Sequence, residues 1–183
     1  AHSIIGASSD YLQRYFTELP RTFDPRKFDA AWYARLAKIC GFDYVMVCLK
    51  NHNGFCMWDT KTTPFNVMNT PFGRQQGIPV GMYFSPDDGW WQWSHGNVVD
   101  RRLPHATPNT NPELLAFAQR QLREVIEKYD PDLMCFDGKM PVVAPLVQYV
   151  LELKPGLMVT RGALKTPEQK LQDERGPFEA HFT

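Results

Sequence analysis

The sequence has 183 residues, of which 43% are apolar and 22% are charged, and its formal net charge at pH 7 is zero. Such a composition is typical of a globular protein, and the length suits one domain or one large part of a domain. The sequence has no basic run and no apolar stretch approaching roughly 20 residues, so we expect neither a nucleic-acid partner nor a membrane-spanning segment. Its four cysteines form no CxxC pair and no Cys/His ligand spacing, so we expect no structural zinc site.

The chain starts at Ala1, without an initiator methionine or a recognisable signal peptide. A start of this kind is compatible with a signal that has been cleaved. We expect a secreted or periplasmic location rather than a cytoplasmic one, and the oligomeric state stays open.

Helix and strand patterns alternate in the first half of the chain. Apolar side chains at helical spacing predict a helix over 28–39, and Gly41 follows as a helix stop. The apolar run 44–49 predicts a strand buried on both faces of a parallel sheet. A second strand is predicted over 78–84, and a long loop follows it.

That loop carries a cluster of tryptophans, Trp90, Trp91 and Trp93. Flat aromatic faces stack on the C–H side of sugar rings, so the cluster is compatible with a carbohydrate site. Buried aromatic side chains dominate most protein cores, and core packing is therefore the expected role.

The second half contains the clearest helix signals. Asn111 is a good N-cap, Pro112 suits the first helical position, and Asp130 followed by Pro131 ends the helix. The remaining predicted elements are a strand over 133–136, a helix over 142–153 and a strand over 157–160.

Strands that alternate with helices predict parallel pairing with right-handed crossovers, as in doubly wound sheets and in closed barrels. Polar side chains follow the strands at 51–53, at 85–88, at Asp137 and at Arg161. In a (β/α)8 barrel that edge of the sheet is the catalytic face.

The predicted barrel is short. A whole barrel takes about 250 residues, and no helix of normal length separates the predicted strands at 44–49 and 78–84. Parallel neighbours need a crossover of a dozen or more residues. We therefore predict that residues are absent near 74–75 and at both ends; the alternative is a degenerate barrel with a natural deletion.

Asp137 is the principal catalytic candidate. It ends a predicted buried strand, and the following Gly138 would leave space for a ligand beside the backbone. A carboxylate there can attack the anomeric carbon of a sugar while a second carboxyl protonates the leaving oxygen. The alternative reading is a helix N-cap.

Ordered segments resemble glycoside hydrolase family 29, the α-L-fucosidases, from about Phe23 to Thr183. The segment 50–61 is similar to the family's K-H-H-D-G-F-C-x-W/F-D-[ST]-K, and 81–88 to its G-x-Y-[YF]-S stretch. The segment 129–138 is similar to the one that ends in W-F-D-G. Further similar segments are 65–74, 159–162, 166–169 and 177–180.

The resemblance implies one (β/α)8 TIM-like barrel domain over 1–183, incomplete here and with a second gap near 163–164. It implies retaining exo-hydrolysis of α-linked L-fucose from a fucosylated oligosaccharide or glycoconjugate. Asp137 matches the family's nucleophile, and Glu179 matches its acid/base, with Glu168 as second choice. The two carboxyl groups need no metal or organic cofactor.

The resemblance also implies a set of residues that bind the sugar. These are His52, Asn51, Tyr83, Arg161 and Trp58.

Three positions depart from the family pattern. Asn51 and Asn53 stand where the family has His and Asp, and Cys135 stands where it has Trp. These changes leave open a non-catalytic fucose- or glycan-binding protein on the same barrel. A third reading is a metal-dependent hydrolase that uses the side chains His52, Asp87, Asp88 and Asp137.

Overall fold

The computed structural model describes residues 4–42, 46, 48–72, 83–138 and 142–160. The helices within them are α1 (Ser9–Thr17), α2 (Ala30–Ile39), α3 (Gly89–Ser94), α4 (Pro112–Tyr129) and α5 (Ala144–Leu153). The strands are β1 (Cys48–Lys50), β2 (Tyr83–Phe84), β3 (Leu133–Phe136) and β4 (Met158–Thr160). Among these residues, no helix is both long and apolar enough to cross a bilayer.

The four strands form one parallel sheet in the order β1-β2-β3-β4. Each strand lies beside the next one in the chain, so the order does not reverse within the described sheet. A doubly wound sheet contains such a reversal, whereas a barrel does not. The α/β fold with sequential parallel strands therefore agrees with the expected (β/α)8 type.

The core lies between the sheet and helices α4 and α5. Met134 and Phe136 point to this side and are completely buried. Successive side chains of a strand face opposite sides, so Cys135 lies on the other face. The helices contribute aliphatic side chains that include Leu122, Val125, Leu146, Val147 and Val150. This packing holds β3 rigidly and fixes where its carboxyl end lies.

Helix α4 begins where the sequence predicts. The side chain of Asn111 accepts hydrogen bonds from the backbone N–H groups of Glu113 and Leu114, each at 3.1 Å. Asp130 ends the helix in the left-handed conformation, with φ of 43°.

Replacing Asn111 by alanine is expected to lower the free energy of unfolding by about 1 kcal/mol, because two helical N–H groups lose their acceptor. Urea denaturation measures this change. Asn111→Asp keeps an accepting oxygen for the helix but loses the hydrogen bond that Nδ2 of Asn111 donates to the carbonyl of His105 at 2.8 Å, so its midpoint should lie between those of Asn111→Ala and the wild type. Equal midpoints for Asn111→Ala and the wild type would contradict the capping role.

The sequence did not predict helices α1 and α3. Ser8 caps α1 and Asp88 caps α3, so both begin with an ordinary N-cap side chain. All three tryptophans of the cluster lie in α3. Trp91 packs against Leu114 and Phe117, and Trp93 stacks on Phe16 with ring centroids 5.1 Å apart. Core packing is therefore the observed role of these rings.

One prediction about the first half needs correction. The predicted burial of the first strand on both faces is wrong at Cys48, which is exposed because it lies on the face opposite to α4 and α5. The predicted helix over 28–39 is confirmed as α2, which has no buried residue; its Trp32 is 49% exposed. Its apolar stripe therefore does not pack on the described part of the sheet. The predicted gaps near 74–75 and 163–164 lie outside the described residues.

Candidate active site

A histidine between two carboxylates forms the centre of the site. Nε2 of His52 lies 2.7 Å from Oδ2 of Asp137, and Nδ1 of His52 lies 2.6 Å from Oδ1 of Asp87. Asp87 is 3% exposed, and its Oδ2 lies 3.3 Å from Nε of Arg101. The three residues follow β1, β2 and β3, so the predicted polar edge of the sheet brings together side chains that are far apart in the sequence.

The backbone after β1 is attached to the start of helix α3. The carbonyl of His52 accepts from Gly89 N–H at 2.8 Å, and the carbonyl of Asn53 accepts from Trp90 N–H at 3.0 Å. These donors belong to the first turn of α3, where backbone N–H groups have no partner within the helix. The turn after β1 is closed by the backbone carbonyl of Asn51, which accepts from Gly54 N–H at 2.9 Å, and the side-chain Oδ1 of Asn51 accepts from His52 N–H at 2.7 Å.

Asp137 lies directly after β3 and has a second polar neighbour. Its backbone N–H donates to the carbonyl of Phe84 at 3.0 Å, which continues the β-ladder for one residue. Tyr83 forms a side-chain hydrogen bond with Asp137. Burial, followed by this hydrogen bond and the charge of Asp137, raises the pKa of Tyr83 above its ordinary value. The phenol therefore remains a neutral donor to the carboxylate over the working pH range.

Gly138 has a packing role. A Cβ at this position would lie 2.5 Å from Cγ1 of Val143 and 3.2 Å from Cγ of Pro86. The expectation that Gly138 leaves space for a ligand is therefore wrong, since protein side chains take that space. The glycine lets β3 and the segment before α5 approach closely at the end of the strand.

The electrostatic state of His52 follows from its two partners. Burial on its own would lower the pKa of His52, but hydrogen bonds to Asp137 and Asp87, with the charge of Asp87, outweigh burial and the opposing charge of Arg101. The pKa of His52 is therefore raised above 6.5. The imidazolium form can donate from both ring nitrogens at once, as two ionised carboxylates require.

An NMR titration of the His52 ring protons is expected to give a pKa above 6.5. Because the folded-state pKa exceeds that of the unfolded chain, the charged ring stabilises the fold fully below the unfolded pKa. That stabilisation is lost as the pH rises through the folded pKa. Asp137→Asn removes one negative partner and should lower the measured pKa. An unchanged pKa in this variant would contradict the contact.

A buried ion pair links the elements that carry the site. Nζ of Lys50 lies 3.1 Å from Oδ2 of Asp88, and both side chains are completely buried. Gln121 of α4 accepts from the same Nζ at 3.0 Å, and Asp88 Oδ1 accepts from Trp91 N–H at 2.8 Å. This network joins the end of β1, the start of α3 and the middle of α4.

The structure places only some of the residues that the sequence predicted for the site close together. It brings together Asp137, His52 and Tyr83, and Asn51 lies beside them with an exposed side chain. The expected sugar contact of Trp58 is wrong: the ring is 0% exposed in the core, and its Nε1 donates to Glu124 at 3.3 Å. Three further predicted residues, Arg161, Glu168 and Glu179, lie outside the described residues.

The metal-site reading is not supported by the described residues. They contain no group of three or more His, Cys, Asp or Glu side chains that could hold a metal ion. Asp88 already pairs with Lys50 and caps helix α3. Both ring nitrogens of His52 contact carboxylates.

Sequence reasoning missed the role of Asp87 and did not name Arg101. Asp87 belongs to the polar stretch after β2, and this position could have suggested a partner for His52. Arg101 lies in the loop after α3, and no local pattern indicates its contact.

Comparisons with known proteins agree on one family. A family model described as Alpha-L-fucosidase matches residues 7–169. Alpha-L-fucosidase 1 of Arabidopsis thaliana is 29% identical over 83 residues, which cover 38% of this chain and 16% of that protein. The alpha-L-fucosidase of Dictyostelium discoideum is 23% identical over 151 residues, which cover 73% of this chain and 32% of that protein.

Solved structures give the same result. An alpha-L-fucosidase GH29 trapped covalent intermediate from Bacteroides thetaiotaomicron, in complex with 2-fluoro-fucosyl fluoride, is 29% identical with a TM-score of 0.61. The match covers 82% of this chain and 37% of that one. The chain thus spans between about a sixth and two fifths of the relatives named here.

Proposed function

This chain belongs to the alpha-L-fucosidase family, and we propose that its protein is a retaining exo-α-L-fucosidase acting on fucosylated oligosaccharides or glycoconjugates. The observation that carries the proposal is the position of Asp137. Its carboxylate lies at the carboxyl end of a buried parallel strand and contacts both His52 and Tyr83. Two donors there favour the ionised carboxylate, which is the form that attacks carbon.

The proposed reaction has two displacements. Asp137 forms a bond to C1 of the fucosyl group while Glu179, or Glu168 as second choice, gives a proton to the departing glycosidic oxygen. The same residue, now an ionised carboxylate, then removes a proton from water. The water oxygen displaces Asp137 from C1 and leaves fucose with its original α configuration. His52, Asn51, Tyr83 and Arg161 are proposed to bind the sugar. The proton balance closes without a metal or an organic cofactor.

The direct test uses 4-nitrophenyl α-L-fucoside and the purified full-length protein. Hydrolysis should release 4-nitrophenolate, and proton NMR of the first product should show α-fucose before it mutarotates. The matching β-L-fucoside should stay intact. Formation of β-fucose first would contradict the double displacement.

Asn51 and Cys135 favour the second candidate, a fucose- or glycan-binding protein without turnover. Calorimetry measures the binding of L-fucose, and the hydrolysis assay measures turnover. Together they distinguish the enzyme from the binding protein. Binding with no release of 4-nitrophenolate would support the binding protein. The metal-dependent reading predicts loss of turnover with a strong chelator.

A further inference from the structure

We propose that Asp87 is a positioning residue of this site, which holds the imidazole of His52 in one orientation and keeps its Nε2–H directed at Asp137. The proposal rests on the proposed function for its effect on turnover. The contact itself can be tested without turnover.

The geometry leaves His52 little freedom. Its ring nitrogens lie 2.6 Å from Asp87 and 2.7 Å from Asp137, and its side chain is 11% exposed. A flip of the ring would place carbon atoms against both carboxylates and would break both contacts. The orientation is therefore determined by the pair of carboxylates together.

The carboxylate of Asp87 is itself held in place. Its side chain is 5% exposed, and a buried carboxylate must have positive or donating partners to remain charged. Among the described residues, the charged groups that face it are His52 and Arg101, whose Nε lies 3.3 Å away. Since Arg101 is partly exposed and not ideally aligned for a hydrogen bond to Oδ2, the short contact with His52 is the stronger constraint on the carboxylate.

The backbone reinforces the contact. Asp87 lies two residues before Gly89, whose N–H binds the carbonyl of His52 at 2.8 Å. The same short segment therefore holds both the main chain and the ring of His52. A Cβ on Gly89 would lie 3.3 Å from that carbonyl and 2.8 Å from Cδ1 of Ile4, so the absence of a side chain at this position favours the close approach.

Two consequences follow for the reaction. Asp87 accepts the hydrogen bond from Nδ1–H of His52. Nε2–H is then the one ring donor left to bind Asp137, or to bind a sugar hydroxyl that takes the place of Asp137. The charged imidazole also stabilises the ionised form of Asp137 before attack. Asp87 acts through His52 and does not touch the reacting atoms.

The test compares Asp87→Asn with Asp100→Asn. Both remove one negative charge from an aspartate that binds an arginine, but Asp100 binds Arg102, whereas Asp87 contacts His52 and Arg101. Asp87→Asn should lower the pKa of His52 measured by NMR, move the pH profile of kcat to lower pH and decrease kcat by about 100-fold or more. Asp100→Asn should change none of these.

Arg101→Gln is a second variant, at a more exposed position. Its expected shift in the pKa of His52 is opposite in direction to that of Asp87→Asn. Removing the positive charge near Asp87 should raise the pKa of His52 further. A pKa that is unchanged in Asp87→Asn, or that falls in Arg101→Gln, would overturn the proposal. If the wild type hydrolyses no fucoside while the pKa shifts occur, the proposed function fails and the positioning role stands.

Discussion

Replacing Asp137 by asparagine is expected to decrease kcat for an aryl α-L-fucoside by about 10⁴- to 10⁶-fold, as for other enzymes that lose a nucleophile. The amide is close in size to the carboxylate but cannot form the glycosyl-enzyme bond. Asp132→Asn is the matched control, because Asp132 precedes the same strand at its other end and its side chain is fully exposed. It should keep the activity of the wild type.

A complementary variant separates nucleophilic chemistry from a general loss of structure. Asp137→Gly removes the carboxyl group and leaves room for a small anion at C1. Added azide should restore turnover of an activated aryl fucoside and form β-fucosyl azide, because it attacks from the face that Asp137 occupied. Failure of azide to restore any turnover, together with full activity of Asp137→Asn, would exclude this aspartate as the nucleophile.

Replacing Lys50 by methionine is expected to lower the free energy of unfolding by about 3–5 kcal/mol, because it leaves the charge of Asp88 buried and unpaired. Urea denaturation measures the loss through the midpoint, provided that the slope is unchanged. The double variant Lys50→Met/Asp88→Asn should be destabilised by less than the sum of the two single variants, since each single variant already breaks the pair.

The matched control for Lys50 is Lys61→Met. Lys61 also pairs with an aspartate, Asp59, at 2.9 Å, but the pair is exposed to solvent. Exposed ion pairs contribute little to stability, so the midpoint should not move. Equal midpoints for Lys50→Met and Lys61→Met would show that the buried pair does not stabilise the fold.

Much of the fold could be predicted because its signals are local. The N-cap at Asn111, the proline after it and the apolar stripe of α4 all act within a few residues of the chain. The alternation of helices with apolar strands predicted parallel pairing, and the described sheet confirms it. Helix α3 was missed because a six-residue helix gives too few turns for a periodic pattern.

The sequence by itself determined the family, the parallel pairing of the described strands and the position of Asp137 at a strand end, because motifs and periodicity are carried by neighbouring residues. Only the tertiary structure decided that His52 lies between Asp87 and Asp137, that Trp58 is buried and that Asp88 pairs with Lys50. These contacts join residues from different strands and loops. They depend on sheet register and helix packing, which place distant residues together without leaving a local pattern in the sequence.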